Sequence, residues 1–312
     1  MGKREFTFPS ADGKTQIHAV EWLPEGEVKA VLQICHGVAE YILRYEDFAL
    51  FLNSKGIAVV GHDHIGHGNS VAPGAPRLYF GAEGSWNWVV ADIESRRKLA
   101  SQAFPGVPYF LMGHSMGSFL ARTYLIQYPG QVDGAVIMGT GQMSPALITG
   151  GMLLAAVIGK LGGMDKPSGL VDKIAFGPYN KPFAPNRTVL DWLSKNPDNV
   201  DAYIADPLCG GAATPGLFRE MLSGISIITD SDEAKKMNLH KPVLFISGAM
   251  DPVGDCSKGV EKAYAMFQKI GVEDVSIKLY PELRHEILNE DCREQVYADI
   301  FAWLCAKMPE NV

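Results

Sequence analysis

Short apolar runs alternate with stretches of helical periodicity over the first 140 residues. The runs AVLQIC, IAVVG, YFLM and GAVIM are almost wholly apolar, which is typical of strands buried on both faces of a sheet. Between them, apolar side chains recur three or four residues apart, as at Trp86, Val89 and Ile93, which predicts helices. Before these strands, FTFPSADG and TQIHAVEWLP predict a hairpin that turns at Asp12-Gly13. The alternation predicts an α/β domain with a mainly parallel sheet covered by helices.

The alternation stops after the strand GAVIMG and returns at HKPVLFISG. Residues 142–225 are rich in Gly, Pro, Met and Leu and show helical patches at 150–160 and 187–195 but no clear strand pattern. After HKPVLFISG come a helical run, the strand VSIKLYP and a last helix. The sequence therefore predicts a core domain built from residues 1–141 and 226–312 and a helical insertion over 142–225.

A serine flanked by glycines stands where one strand turns into a helix. YFLM leads directly into Gly113-His114-Ser115-Met116-Gly117, and a helical run follows at once. So tight a joint strains the backbone of its corner residue, and Gly113 and Gly117 leave room for strand and helix to approach each other. The strain lifts the Ser115 hydroxyl clear of the sheet and points the first N–H groups of the helix towards whatever attaches to it. This predicts a G-x-S-x-G nucleophile elbow, with a plain glycine-rich turn as the alternative.

A serine nucleophile needs a histidine base, and the histidine needs a carboxylate to orient it. In this type of fold the chain order is Ser, acid, His. Of the two later histidines, His285 follows a strand and shares the carboxyl edge of the sheet with Ser115, whereas His240 precedes a strand and lies at the opposite edge. Asp251 ends the run VLFISGAMD at the same edge and is the predicted acid, with Asp255 as the second choice. The alternative role for Asp251 is to cap the next helix.

Two backbone N–H groups should stabilise the oxyanion that forms during attack on a carbonyl. One is predicted to be that of Met116, directly after the nucleophile, and the other that of Val38 in the loop HGVAEY. Gly37 keeps this loop close to the site. His36 precedes the elbow in the sequence, so a role in bracing the loop is favoured over catalysis.

Four blocks of the sequence together resemble a known family. HGVAEYILRYEDFALFLNSKGIAVVGHDHIGHGNS, GHSMGS, SGAMDPVGDCSKGV and LYPELRHEILNE are similar to the monoacylglycerol lipase and lysophospholipase-like branch of the α/β-hydrolases, often labelled serine aminopeptidase S33. The resemblance runs from about residue 6 to 305. It implies the α/β-hydrolase fold with an eight-stranded sheet, and it implies that the 142–225 insertion is a lid over the pocket. One departure is Ile65, where the family usually has Arg.

Carried over residue by residue, the resemblance implies that Ser115 is the nucleophile, Asp251 the acid and His285 the base, with Val38 and Met116 at the oxyanion hole. No cofactor is implied.

The insertion is where we expect substrate choice to arise. Its apolar side chains could line a tunnel for an acyl chain, or they could simply pack the insertion on the core. The stretch GGMLLAAVIG could also rest on a lipid or micelle surface, and it is too short to span a bilayer before Lys160. The candidate lining residues are Met143, Leu147, Ile148, Met152, Leu153, Leu154 and Val157.

Composition narrows the class of protein further. The 312 residues carry a net charge of −7 and no Lys/Arg-rich stretch, so nothing indicates nucleic-acid binding. The charged N-terminal sequence is unlike a secretion signal. The five cysteines are scattered without a C-x-x-C pair, which predicts reduced thiols and a cytoplasmic location.

The segment HDHIGH, residues 62–67, raises the possibility of a metal site. Zinc hydrolases of the β-lactamase type have an aspartate at its fifth position, where this chain has Gly66. The segment instead fits a structural D-x-x-G-x-G-x-S loop after a strand, so no metal is predicted.

Taken together, these features predict a serine hydrolase that cleaves carboxylic esters of acyl chains, as a monoacylglycerol lipase, lysophospholipase or carboxylesterase does. The alternative is an S33-type aminopeptidase or amidase, which would need a carboxylate in the pocket to hold the substrate ammonium. Glu40, Asp206 and Glu286 are the candidates for that role. A non-catalytic ligand-binding homologue is disfavoured because every part of the catalytic machinery is present.

Overall fold

One eight-stranded sheet runs through residues 2–309, the part of the chain that the computed structural model describes. Its strands lie in the order β1-β2-β4-β3-β5-β6-β7-β8. In chain order they are Gly2–Pro9 (β1), Gln16–Leu23 (β2), Ala30–Cys35 (β3), Ile57–His62 (β4), Tyr109–His114 (β5), Gly134–Met138 (β6), Val243–Gly248 (β7) and Val275–Tyr280 (β8).

Helices follow or separate these strands. In chain order they are Glu46–Asn53 (α1), Trp86–Ala103 (α2), Met116–Gln127 (α3), Pro145–Gly162 (α4), Gly169–Ala175 (α5), Pro197–Ala205 (α6), Pro215–Thr229 (α7), Ser231–Ala234 (α8), Lys258–Ile270 (α9) and Arg293–Lys307 (α10).

Strands β3 to β8 pair in parallel, and the antiparallel β1–β2 hairpin joins them through β4. Every residue of β3, β4, β5 and β7 is buried, as expected for strands covered on both faces. One face packs against α2, α3 and α9, which contribute Trp86, Tyr124 and Phe267. The other packs against α1 and α10, which contribute Phe48 and Ile300. The predicted eight-stranded sheet, mainly parallel and covered by helices, is confirmed.

The segment between β6 and β7 contains helices α4 to α8 and, within the described residues, no strand. The helix predicted over 187–195 is wrong: only a three-residue 3-10 turn forms there, at Asp191–Leu193. The cause is local, because the Asp191 carboxylate accepts the backbone N–H groups of Arg187 and Thr188 at 2.6 and 3.1 Å and so holds a compact turn. The predicted boundary at residue 225 falls inside α7.

Helix α4 is longer than the predicted patch at 150–160. Ser144 caps its start, followed by Pro145, so the helix gains a turn at the N-terminal end. Its 18 residues have a mean hydropathy of 1.5, and by length and composition alone it could cross a bilayer. The stretch GGMLLAAVIG, which is too short to span a bilayer, is therefore only part of a longer helix. The side carrying Ile148, Ala155 and Gly159 is nevertheless buried against the rest of the protein.

Candidate active site

Ser115 lies at a strained corner between β5 and α3. Its φ of 55° and ψ of −122° are unusual for a residue with a side chain. A Cβ on Gly113 would collide with the carbonyl of Gly117, and a Cβ on Gly117 would collide with the carbonyl of Cys35. The backbone N–H of Ser115 donates to the carbonyl of Met138 at 3.0 Å. The corner is thus held tightly, and only glycine fits on either side of it.

His285 and Asp251 come together from the loops after β8 and β7. The imidazole Nδ1 lies 2.8 Å from Asp251 Oδ2, and both side chains are buried. Asp251 Oδ1 accepts the backbone N–H of Val253 at 2.9 Å, and the Ser247 hydroxyl lies 3.3 Å from Oδ2. These contacts fix the carboxylate, so that it orients the ring of His285 with Nε2 available.

Ser115 and His285 line one cavity of about 230 Å³. Among residues 2–309, neither the Ser115 hydroxyl nor His285 Nε2 makes a hydrogen bond within the protein. Both groups are therefore available to a molecule that enters the cavity. The hydrogen bond between a catalytic serine and its histidine is often long or misaligned before substrate binds, and it tightens when substrate binds.

The other candidates for acid and base lie elsewhere. Asp255 is exposed, on a turn with φ of 50°, and makes no contact with an imidazole. His240 is exposed and pairs with Glu273 at 2.7 Å. The structure brings together Ser115, Asp251 and His285 rather than these two residues.

The loop after β3 approaches the serine closely. A Cβ on Gly37 would lie 3.2 Å from the Cβ of Ser115 and 2.6 Å from Glu40 Oε1. Within the described chain, the backbone N–H groups of Val38 and Met116 donate to no other protein group. Two unpaired N–H groups beside a serine hydroxyl suit an oxyanion hole.

His36 lies at the base of this loop. Its Nε2 accepts the backbone N–H of His64 at 2.9 Å, so Nδ1 carries the proton and donates to the carbonyl of Gly37 at 2.7 Å. Asp63, in the HDHIGH segment, accepts the backbone N–H groups of Ile42 and Asn69, each at 2.8 Å. Within residues 2–309, no group of three or more His, Cys, Asp or Glu side chains is arranged to hold a metal ion.

A buried ionic network borders the cavity, and no pattern in the sequence predicts it. Arg44 bonds both carboxylate oxygens of Glu286, at 2.7 and 2.8 Å, and also Glu40 at 2.7 Å. Burial raises the pKa of both carboxyl groups. At Glu40, the charges and hydrogen bonds of His114 and Arg44 outweigh the effect of burial. At Glu286, the charge and hydrogen bonds of Arg44 outweigh it. The pKa of each carboxyl group therefore lies below its usual value. Asn199 adds a hydrogen bond to Glu286 at 2.7 Å.

The cavity wall comes from parts of the insertion other than the predicted ones. Ile148 is buried in the main core, Met143 and Met152 pack partly against that core, and Leu147 and Leu153 are 65% and 66% exposed. None of these five residues lines the cavity. The apolar lining from the insertion consists of Phe176, Val189, Leu190, Trp192, Leu193, Tyr203 and Ala213, and Val38, Ala39 and Leu78 of the core domain complete it.

Trp192 is a part of the site that sequence reasoning missed. Its ring centroid lies 5.1 Å from that of His285, so it covers the imidazole from the cavity side. It belongs to the segment that was predicted as an ordinary helix. A large aromatic residue in a glycine- and proline-rich insertion was the available signal.

This geometry defines an α/β-hydrolase with a serine at its elbow, and the comparisons with known proteins specify the class further. The family model described as "Serine aminopeptidase, S33" matches residues 26–292, and the chain belongs to this family. A monoacylglycerol lipase of Mycolicibacterium smegmatis is 27% identical over 98% of both chains. The monoglyceride lipase of Homo sapiens is 28% identical over 95% of this chain and 88% of the relative.

The fold agrees with that of solved enzymes. A thermostable carboxyl esterase from Bacillus coagulans, in complex with glycerol, superposes with a TM-score of 0.92 at 27% identity, covering 99% of this chain and 100% of the esterase. The predicted family resemblance and the predicted class, a serine ester hydrolase, are confirmed.

Proposed function

We propose that this protein hydrolyses monoacylglycerol-like esters through an acyl-enzyme on Ser115. The observation that carries this proposal is that a strained elbow serine and an aspartate-held histidine face the same largely apolar cavity. Relatives named monoacylglycerol lipase and monoglyceride lipase, which this chain matches over 98% and 88% of their lengths, support a neutral lipid ester as the substrate.

In the proposed mechanism, the Ser115 hydroxyl attacks the ester carbonyl while His285 Nε2 takes its proton. Asp251 keeps the proton on Nδ1 and stabilises the imidazolium. The backbone N–H groups of Val38 and Met116 stabilise the oxyanion. The imidazolium then protonates the leaving alcohol, and a water molecule, activated by the same histidine, releases the acid and restores Ser115.

The peptidase alternative requires an unpaired carboxylate for the substrate ammonium. Glu40 and Glu286 both bond to Arg44, and Asp206 accepts the hydroxyl of Tyr41 at 2.6 Å. The three candidates named from the sequence are therefore occupied by protein partners. Asp172, which also lines the cavity, remains as a carboxylate that a substrate ammonium would pair with, and the aminoacyl-anilide assay below tests that role.

The test uses substrates that separate the two activities. We expect hydrolysis of monoacylglycerols and of p-nitrophenyl esters of rising chain length, and no cleavage of aminoacyl-anilides. A fluorophosphonate should modify Ser115 in the wild-type protein but not the Ser115→Ala variant, which would exclude a non-catalytic ligand-binding role. Cleavage of the anilides alone would overturn the proposal.

We further propose that residues 142–225 act as a lid that contacts lipid surfaces. The support is a set of apolar side chains on α4 that are mostly exposed to solvent. Leu147, Leu153 and Leu161 are 65%, 66% and 85% exposed. An amphipathic helix of this kind binds membranes in proportion to the apolar area that it can bury.

This proposal is tested by sedimentation with phosphatidylcholine vesicles. The double variant Leu153→Ser/Leu161→Ser should bind vesicles less than the wild type does, with unchanged turnover of a water-soluble short-chain ester. Leu50→Ser/Leu99→Ser, on exposed leucines of the core domain, is the matched control and should bind like the wild type. Equal binding by all three proteins would overturn the lipid contact.

A further inference from the structure

His114, the residue before the elbow serine, faces hydrogen-bond acceptors with both ring nitrogens. Nε2 lies 3.2 Å from the backbone carbonyl of His285. Nδ1 lies 3.1 Å from the hydroxyl of Tyr45 and 3.3 Å from Glu40 Oε1. The side chain is buried, so its ring nitrogens depend on these protein partners for their hydrogen bonds.

The protons around His114 can be assigned from its neighbours. A carbonyl only accepts, so Nε2 must carry a proton. The Tyr45 oxygen lies 2.8 Å from Glu40 Oε1, a carboxylate that also accepts the Gly37 N–H at 2.6 Å, so the Tyr45 proton points at Glu40. The Tyr45 oxygen is then an acceptor towards His114, and Nδ1 must carry a proton as well.

If His114 were neutral, lone pairs on its Nδ1 and on the Tyr45 oxygen would face the Glu40 carboxylate with no hydrogen between them. If Nδ1 accepted the Tyr45 proton, the Tyr45 oxygen would face Glu40 with no hydrogen between them, and the Nδ1 lone pair would point at the same carboxylate. Buried polar groups without a hydrogen-bond partner are costly. The remaining charged groups close by are Arg44, Glu286 and Asp251, so carboxylates outnumber cations around the ring.

We infer that His114 is a buried imidazolium at neutral pH and a positioning residue that joins the oxyanion loop (residues 36–41, after β3) to the loop after β8 that holds His285. Through Glu40 it is linked to Gly37, directly before Val38, and through Nε2 it holds the backbone of His285. Its ring also lies against that of His285, with centroids 4.5 Å apart. Burial lowers the pKa of His114, but the hydrogen bond and charge of Glu40 outweigh burial and raise it overall.

The protonation state can be measured directly by long-range ¹H–¹⁵N spectra of protein labelled with ¹⁵N-histidine. We expect both nitrogens of His114 to show imidazolium shifts at pH 7, assigned by their loss in His114→Gln. Tyr45→Phe should keep the same imidazolium shifts, and it provides the test if His114→Gln does not fold. A neutral tautomer at pH 7 in the wild type would overturn the inference.

The positioning role rests on the proposed function and has its own test. His114→Gln can donate from only one side, so we expect kcat per fluorophosphonate-titrated site to fall by about tenfold or more with KM changed less than about twofold. His240→Gln, on an exposed histidine, is the control and should keep wild-type kcat. An unchanged kcat per titrated site would overturn the positioning role, whereas failure of the wild type to react with fluorophosphonate would overturn the proposed function and leave the spectra to be judged alone.

Discussion

Arg44 donates two parallel hydrogen bonds to Glu286, from Nη1 to Oε1 at 2.7 Å and from Nη2 to Oε2 at 2.8 Å. Glu286 directly follows His285, and Arg44 also bonds Glu40 in the oxyanion loop. One cation thus lies between two buried carboxylates from the two loops that meet at Ser115. We therefore expect the shape of the site to depend on this ion network as well as on the proposed reacting side chains.

Removing the cation should destabilise the protein severely. In Arg44→Met the two carboxylates would stay buried without their shared partner, a situation that typically costs about 3–5 kcal/mol. Urea unfolding measures the loss in free energy of unfolding. The control is Arg187→Met, which removes a 2.7 Å pair with Asp201 whose side chains are 48% and 55% exposed, and it should cost about 1 kcal/mol or less. Equal losses in the two variants would contradict a structural role for the network.

The assignment of the acid is tested by a pair of aspartates. Asp251→Asn should lower kcat for ester hydrolysis by a factor on the order of 10⁴, because the amide no longer holds His285 in the required tautomer. Asp255→Asn changes an exposed side chain four residues away and should leave kcat within about twofold of the wild type. If the Asp255 variant lost the activity instead, the predicted second choice would replace the first.

The oxyanion loop makes a steric prediction. In Gly37→Ala the new methyl group would lie 2.6 Å from Glu40 Oε1 and 3.2 Å from the Cβ of Ser115, so the loop must move. We expect kcat to fall by roughly 10²–10³, as when one oxyanion donor is lost. Gly150→Ala is the matched control, since its methyl group meets nothing within 4 Å in helix α4. That control should keep full activity, and activity of Gly37→Ala at the wild-type level would count against the proposed oxyanion hole.

The sequence predicts the sheet and the convergence of Ser115, Asp251 and His285 because both follow from local signals. Buried parallel strands read as continuous apolar runs, and residues that end such strands meet at one edge. The two glycines that flank Ser115 predict the strained corner there. The sheet itself is built from long-range contacts, but the signals that predict it are local, so pattern and chain order are sufficient.

The cavity wall and the ion network could not be predicted in the same way. Trp192 and Val189 approach the site through a turn held by the Asp191 carboxylate, where periodicity suggested a helix. Likewise Arg44 and Glu286 are 242 residues apart, and no spacing rule relates them. Such contacts depend on how the loops pack in three dimensions, which the pattern of apolar residues does not specify.

Buried histidines make the protein sensitive to acid. Burial lowers the pKa of His62 to about 3, and neither of its ring nitrogens has a hydrogen-bond partner in the described chain. In the unfolded chain the pKa of a histidine is about 6.5. Below that pH the unfolded state binds more protons than the folded state, so the free energy of unfolding decreases as the pH falls. This group alone should lower the free energy of unfolding by about 1.4 kcal/mol per pH unit between pH 6 and pH 4.

Urea unfolding at pH 6, 5 and 4 tests this contribution. His62→Leu should reduce the slope of stability against pH by about 1.4 kcal/mol per unit, and His240→Leu, on the surface, should leave the slope unchanged. Parallel slopes for His62→Leu and the wild type would mean that His62 does not remain neutral in the folded protein.

Asp172 carries a carboxylate into the cavity wall near Phe176 and Ala213. It has a backbone hydrogen bond to Ala213 but no cation beside it among the described residues, and burial raises its pKa. In its ionised form the carboxylate should repel esters whose acyl or alcohol part is anionic. Asp172→Asn should therefore raise kcat/KM for monoesters of dicarboxylic acids by about tenfold, while neutral esters change less than about twofold. The control Asp165→Asn removes a carboxylate that pairs with Lys166 outside the cavity and should alter neither value. An equal response of both ester types to Asp172→Asn would show that this carboxylate has no part in selecting the substrate by charge.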